Sequence, residues 1–556
     1  MDYRRIRIIR CSVLLFSLVL LASSLWLIKE KKELSFSKES GFYDEPFYLE
    51  IYGFDEIHFT LDATEPTVDS PMYVEPILIS DTSEAENIYS AMYEVYLGFN
   101  PELATMGLVN PRGDPRKIPT ESVDKATIVK AASFDREGNI VATKEAVFFV
   151  GFSEKEEYEG INIISISTNP DNLFGYENGI YVIGKEFDNY FNSLSRIKDF
   201  SIGHAMANYR ARGKSFRKPA QVYFFNSDRQ IVSEGEYLIA IQGGTTRADI
   251  PRSLNIYEAD NGVIDGKALG FDFDVKSVNL FSGGNDRYTK IKDAIINERV
   301  QDLNVCTRTY IPYELFLEGE YWGTYFISEK YDEAFFNGKY GVKSQDVVMI
   351  KRGSSEYAEI GDDDDRNEWL DVKEYITCND MYLDSNYDHV KELIDIDSCV
   401  NYFAIEIYIA NTDWPYINVS VWKSKNSSGK TRYDDGKWRW VLYDVNCAMD
   451  LSNIEMDGIK KACQDDAMFR SLMDNPEFAQ QVKDKLVFLA KNTFEPETMR
   501  KTIMKYHDKM LWAMKNDYSR FFEGKKVVDY TAECNKIFSF FEQRAIYIIS
   551  KYEKGQ

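Results

Sequence analysis

From Cys11 to Ile28 the chain runs without a charged side chain, bracketed by Arg4, Arg5, Arg7 and Arg10 before it and by Lys29, Glu30, Lys31, Lys32 and Glu33 after it. A run of this length reaches the lower limit of about 18 apolar residues for a helix that crosses a hydrocarbon core. The arginine cluster holds the short leading tail in the cytoplasm, because cationic flanks stay on that side. The span predicts a single-pass membrane protein with its N-terminus cytoplasmic and the bulk of the chain extracellular. A cleaved signal peptide is the competing reading. Its apolar region would run about 7 to 15 residues to a small-x-small site; Ala22-Ser23-Ser24 matches poorly and Leu25-Trp26-Leu27-Ile28 follows at once. Cleavage would give a secreted form, and under either reading everything after residue 33 lies outside the cytoplasm.

Charge narrows the partners. With 66 Lys+Arg against 90 Asp+Glu, the chain of 556 residues carries a formal charge of −24, which argues strongly against nucleic acid because such binding runs on cations that neutralise phosphates. Its length and 44% hydrophobic content fit roughly two to four domains of about 150 residues each. Outside the span, Cys306, Cys378, Cys399, Cys447, Cys463 and Cys534 show no CxxC spacing, so zinc is not indicated. Buried free thiols account for them as well as disulfides do, and no disulfide is assigned.

Residues 42–153 read as short alternating strands broken by turn residues, for example Phe47 to Tyr52, Ile57 to Leu61, Thr127 to Ala131 and Glu145 to Val150. Period-2 alternation with β-branched and aromatic residues predicts an immunoglobulin-like β-sandwich. The stretches at 57–80 and 127–151 resemble the β domain found at the C-terminus of chitobiases, although the segment holding Asn100-Pro101 and Pro111-Arg112-Gly113 is longer than that pattern carries. The module reads as a spacer that lifts the next domain off the membrane, with contact to cell-wall glycan as the alternative. From residue 155 to 550 strands and helices mix, which predicts an α+β domain with a helical C-terminal part. Strands are expected at Gln221–Phe225, Tyr237–Ile241, Ser253–Tyr257 and Tyr321–Ser328, and helices at Tyr288–Leu303 and after Pro476, capped by Asp474 or Asn475. The acidic run Asp362 to Asp365 reads as a solvated loop, because calcium-loop spacing is absent.

Only four histidines occur, at 58, 204, 389 and 507, none in an HExxH or GxSxG setting. Histidine-based hydrolysis therefore loses ground and carboxylate chemistry remains. Asp413 stands five positions before Asn418, and Asp444 closes the apolar stretch WRWVLYDVN at 438–446. Phosphoryl transfer to a hydroxyl needs such a set: one carboxylate to accept the proton of the nucleophile, then an Asn and a second Asp to hold divalent metal. The spacing alone is weak, since Asp-x4-Asn arises by chance about once in a chain this size.

Seven ordered blocks make the pattern specific. They are NPDNLFGYENGIYVIG (169–184), NYRARGKSFRKPAQVYFF (208–225), IAIQGGTTRADIPRSLNIY (239–257), YELFLEGEYWGTYFISEKYDE (313–333), ANTDWPYINVSVWK (410–423), WRWVLYDVN (438–446) and FRSLMDNPEFAQQV (469–482). Together they resemble the spore coat protein H (CotH) family of atypical protein kinases. The resemblance implies a two-lobed kinase-like fold that transfers the γ-phosphoryl of ATP to Ser or Thr of surface or secreted proteins, with Mg or Mn. It further implies Asp413 as the catalytic Asp, Asn418 and Asp444 as metal ligands, and Gly243, Gly244, Arg247, Arg252 and Glu329 beside the nucleotide. Two departures stand out. Arg252 occupies the position of a phosphate-holding Lys, and Asn446 that of a second Asp in a YDxD form. Both favour the alternative, a weak or inactive pseudokinase acting as a protein- or glycan-binding surface scaffold.

Overall fold

The run Ala146-Val147-Phe148-Phe149-Val150 does not alternate apolar with polar, and in the computed structural model all five side chains are buried. Ala146, Phe148 and Val150 enter one core while Val147 and Phe149 enter another. A strand covered on both faces needs this continuous apolar sequence. The structure describes residues 33–53, 55–91, 119–193, 206–259, 262–522 and 528–553. The apolar span 11–28 and the insertion around Asn100 and Pro111 lie outside the described residues. Among the described residues no helix is long and apolar enough to cross a membrane.

The N-terminal region is β-rich. Its main sheet has the order Gly41–Tyr43, Ile140–Val150, Thr127–Phe134, Glu56–Thr60, and the ribbons Ser35–Phe36 with Ile51–Tyr52 and Phe47–Leu49 with Ile77–Ile79 complete it. Leu49, Ile51, Ile79, Val129, Ala131 and Phe148 form the core between them.

Next comes a closed barrel of seven strands: Lys218–Phe225, Ile231–Ile241, Leu254–Glu258, Ser277–Phe281, Glu320–Glu329, Tyr310–Leu317 and Asn162–Ser167. Neighbours are antiparallel except where Asn162–Ser167 closes the ring in parallel with Tyr310–Leu317. Ile164, Val222, Ile239, Ile256, Leu280 and Ile327 fill its interior. Alternate residues point outward, and Ile163, Tyr223, Phe225 and Phe316 meet Val147 and Phe149 of the N-terminal sheet.

The remaining lobe carries a four-stranded sheet, ordered Glu356–Ile360, Val347–Arg352, Val419–Ser424, Arg439–Val441, surrounded by helices. Helix Ile396–Tyr408 is buried continuously from Ser398 to Tyr408, as an apolar central helix must be. Helix Pro476–Phe488 begins as the sequence predicts, with Asn475 as the cap: its side chain accepts from the Phe478 amide at 3.1 Å. The predicted helix at Tyr288–Leu303 narrows to Lys292–Val300.

One expectation is corrected. Asp362 to Asp365 is not a loop but the N-terminus of helix Asp363–Cys378, with Asp362 accepting from the Asp364 and Asp365 amides and Asp365 returning the bond to the Asp362 amide. Acidic residues satisfy the free amides and the positive end of a helix, which is why four in a row suit this position.

Candidate active site

Helix Ile396–Tyr408 ends in a loop that carries Asp413 and enters the strand Val419–Ser424 through Asn418. Asn418 has φ +60 and Asp444 φ +61, left-handed conformations that non-glycine residues adopt at a cost and that gather at functional sites. Asp413 is closely held. Tyr416 Oη donates to its Oδ1 at 2.6 Å, Asn418 Nδ2 donates to its Oδ2 at 3.2 Å, and its own amide donates to Asn411 Oδ1 at 3.1 Å. The bond to Asp413 raises the Tyr416 hydroxyl to about 12.

Asp444 lies just past the strand Arg439–Val441 and faces this loop. Burial raises its carboxyl and the charge of Asp413 raises it further, while the amide of Asn446 and the cations Arg308 and Lys351 pull the other way. Asn446, in turn, accepts at Oδ1 from Asn285 Nδ2 at 3.0 Å, which ties the loop that follows the barrel strand Ser277–Phe281 to the Asp444 loop. Beneath lies Asp293, pushed up to about 7 by burial and then by Asp444, with Oδ1 accepting from the Val445 amide at 3.2 Å.

Among the described residues no three His, Cys, Asp or Glu side chains are grouped as a metal centre. The donors present are two carboxylates that repel each other plus the oxygen of an Asn amide. Hard oxygen donors with excess negative charge fit Mg or Mn, which bind through few protein ligands and complete their shells with phosphate oxygens and water. Asp413, Asn418 and Asp444 are thus brought together.

Glu329 is buried at the end of its strand, where its Oε2 accepts from the Thr309 amide at 2.7 Å and burial raises its carboxyl. It joins the cluster through Arg308, whose charge acts on both Glu329 and Asp444. The glycine turn sits on the barrel rim. Gly243 has φ +109, and a Cβ there would lie 2.6 Å from Thr246 Oγ1, so glycine is required. Its carbonyl accepts from Arg247 Nε at 2.8 Å and Arg212 at 3.0 Å, and Arg247 also bonds the carbonyls of Tyr209 and Ala211. Burial and the charge of Arg212 lower Arg247 to about 10. Arg247 therefore pins segment 209–211 to the turn, with Gly244 beside it.

Arg252 packs on Tyr209 beside the Arg247 turn and makes no contact with Asp413, Asn418 or Asp444. It is 0% exposed, its Nε donates to the Tyr181 carbonyl and its Nη1 to the Asp249 carbonyl, and its guanidinium stacks 4.2 Å from the centre of the Tyr209 ring. A guanidinium so enclosed does not reach the cleft. Two cations that the sequence reading missed do reach it: Arg308, and Lys351, which lies 5.4 Å above the Tyr443 ring and 3.7 Å from Glu359. The available signal was the interruption of the apolar strand Val347-Val348-Met349-Ile350 by Lys351; Arg308 had none.

Residues 239–548 match the family model described as CotH kinase protein, more than half of the chain, and residues 48–146 match the one described as Fn3 associated. No curated protein matches the chain.

Proposed function

Because the chain belongs to the CotH kinase protein family, we propose that it is a membrane-anchored, extracytoplasmic protein kinase that transfers the γ-phosphoryl of ATP to Ser or Thr of surface or secreted proteins. The observation that carries this reading is the pairing of Asp413 with Asp444, joined by Asn418 and opposed by Lys351 and Arg308. In it, Asp413 orients the acceptor hydroxyl and takes its proton as the oxygen bonds to the γ-phosphorus and the bond to the β-phosphate oxygen breaks, releasing ADP. Asp444 and the Asn418 amide oxygen hold Mg or Mn, which when bound supplies charge that offsets that of the phosphates. Lys351 and Arg308 take the role that Arg252, being enclosed, does not fill. Tyr416 and Asn418 keep the Asp413 carboxylate in one orientation, so that proximity is supplied before the reaction begins.

A second reading is a pseudokinase that binds a surface protein or glycan without turnover. The side chain of Asn446 favours it, because its amide engages an oxygen of Asp444 where a second carboxylate would add charge to the site. Incubating the full-length chain with γ-labelled ATP, Mn or Mg and a generic protein substrate separates the two. Label on Ser or Thr that disappears in Asp444→Ala supports the kinase. Absence of transfer together with a melting temperature indifferent to ATP and metal sinks the catalytic reading, since a ligand of the native state must raise it.

A further inference from the structure

Between Met206 and Lys218 the chain has no acidic residue and carries Arg210, Arg212, Lys214, Arg217 and Lys218, an inversion of the character of a molecule with 24 more acids than bases. Arg212 and Lys214 are exposed. Arg217 stacks 3.5 Å from the centre of the Tyr257 ring, and Lys330 lies over the same ring at 5.2 Å. Among the described residues no ion pair joins Arg212, Lys214, Arg217, Lys218 or Lys330 to a carboxylate. Two cations sharing one aromatic ring, neither in an ion pair, form a site whose repulsion an incoming anion relieves.

The position of this strip ties it to the cleft. Arg212 binds the Gly243 carbonyl on the barrel rim and acts across the opening on the hydroxyl of Tyr357, which is 45% exposed on the opposite lobe. Lys330 acts on Lys351, and Lys351 acts on Asp444. The cations thus run from the exposed rim to the paired carboxylates. The inner members, Lys351 and Arg308, act on Asp444, where the kinase reading puts a nucleotide's phosphates. On the kinase reading, the outer ones remain free to meet the chain that flanks an acceptor Ser or Thr whose hydroxyl reaches Asp413.

We propose that the rim formed by Arg212, Lys214, Arg217, Lys218 and Lys330 receives an acidic stretch of the protein substrate, so that Ser or Thr flanked by Asp and Glu is preferred. This rests on the kinase reading above. Cations at a rim that form no ion pair select partners and speed encounter through charge, and their effect is screened by salt.

The test compares two Ser-containing peptides of equal length, one flanked by Asp and Glu and one by Asn and Gln, with the full-length chain, ATP and Mn. At low salt the kcat/KM ratio of acidic to neutral peptide is expected at about tenfold or more, falling toward one as salt rises and in the double variant Lys214→Glu, Lys218→Glu. A ratio near one in the parent, or one that the double variant leaves intact, overturns the proposal. If neither peptide is phosphorylated, the kinase reading has failed and the rim is judged by fluorescence anisotropy of the same labelled peptides. Salt-sensitive binding of the acidic peptide that the double variant loses upholds the acidic-segment site, whereas equal binding or none rejects it.

Discussion

Arg252 is solvated inside the protein by two carbonyls and two tyrosine rings, without a carboxylate partner. Removing it leaves the Tyr181 and Asp249 carbonyls short of donors in a closed space. Arg252→Ala is therefore expected to lower stability by about 2 kcal/mol or more and to leave the affinity of the folded protein for ATP and Mn unchanged. Thermal melting with and without nucleotide checks both halves, and a lost affinity with an unchanged melting temperature would return Arg252 to the phosphates. Glu406 offers a pH test. It is buried, one oxygen accepts from Asn411 Nδ2 at 2.9 Å and the other has no partner, and burial above all raises its carboxyl to about 8. A carboxyl whose folded pKa exceeds its unfolded value of about 4.3 keeps its proton longer in the fold, so stability declines as pH rises between those two values. Glu406→Gln removes that decline. The variant should melt above the parent at pH 8.5 and no higher at pH 4.5.

At the scale of elements, the acidic run shows how a local signal is misread. Four consecutive Asp residues look like a solvated loop until the following Trp369, Val372 and Ile376 are seen to be buried on one helix face. Asp362→Ala deletes the cap and is expected to cost about 1 kcal/mol, read from the urea midpoint, with Asp362→Asn costing less. Asn162–Ser167, Ser277–Phe281 and Tyr310–Leu317 went unnamed in the sequence, while parts of the other four barrel strands were legible as short apolar runs. Closure of those strands into a ring was not, because it depends on Asn162–Ser167 pairing with Tyr310–Leu317 across nearly the whole length of the barrel's sequence. No local pattern encodes a parallel partner so distant.

At the scale of the whole molecule, the N-terminal region is joined to the barrel through a shared core. The hairpin tip Glu318–Glu320 enters it: the Ala126 amide donates to the Gly319 carbonyl at 2.8 Å, and the Glu320 carboxylate accepts from the amides of Ile88, Tyr89 and Ser90. Gly319 has φ +82, and a Cβ there would stand 2.6 Å from the Ala126 carbonyl oxygen. Gly319→Ala is expected to destabilise the protein by roughly 1 to 3 kcal/mol through strain and the forced separation of the two regions. A melting temperature equal to the parent's would show that the joint yields. Within the site, Asp413, Asn418 and Asp444 were singled out in sequence because they fall in ordered blocks that resemble the family, and the bond from Asn418 to Asp413 joins two residues only five positions apart. The sequence by itself also determined the strand and helix alternation and the family, since these follow from the local periodicity of apolar residues and from short motifs. Only the tertiary structure decided that Arg252 is enclosed, that Lys351 and Arg308 face Asp444, and that two β regions share one core, because each depends on which surfaces meet when residues far apart in the chain are packed together.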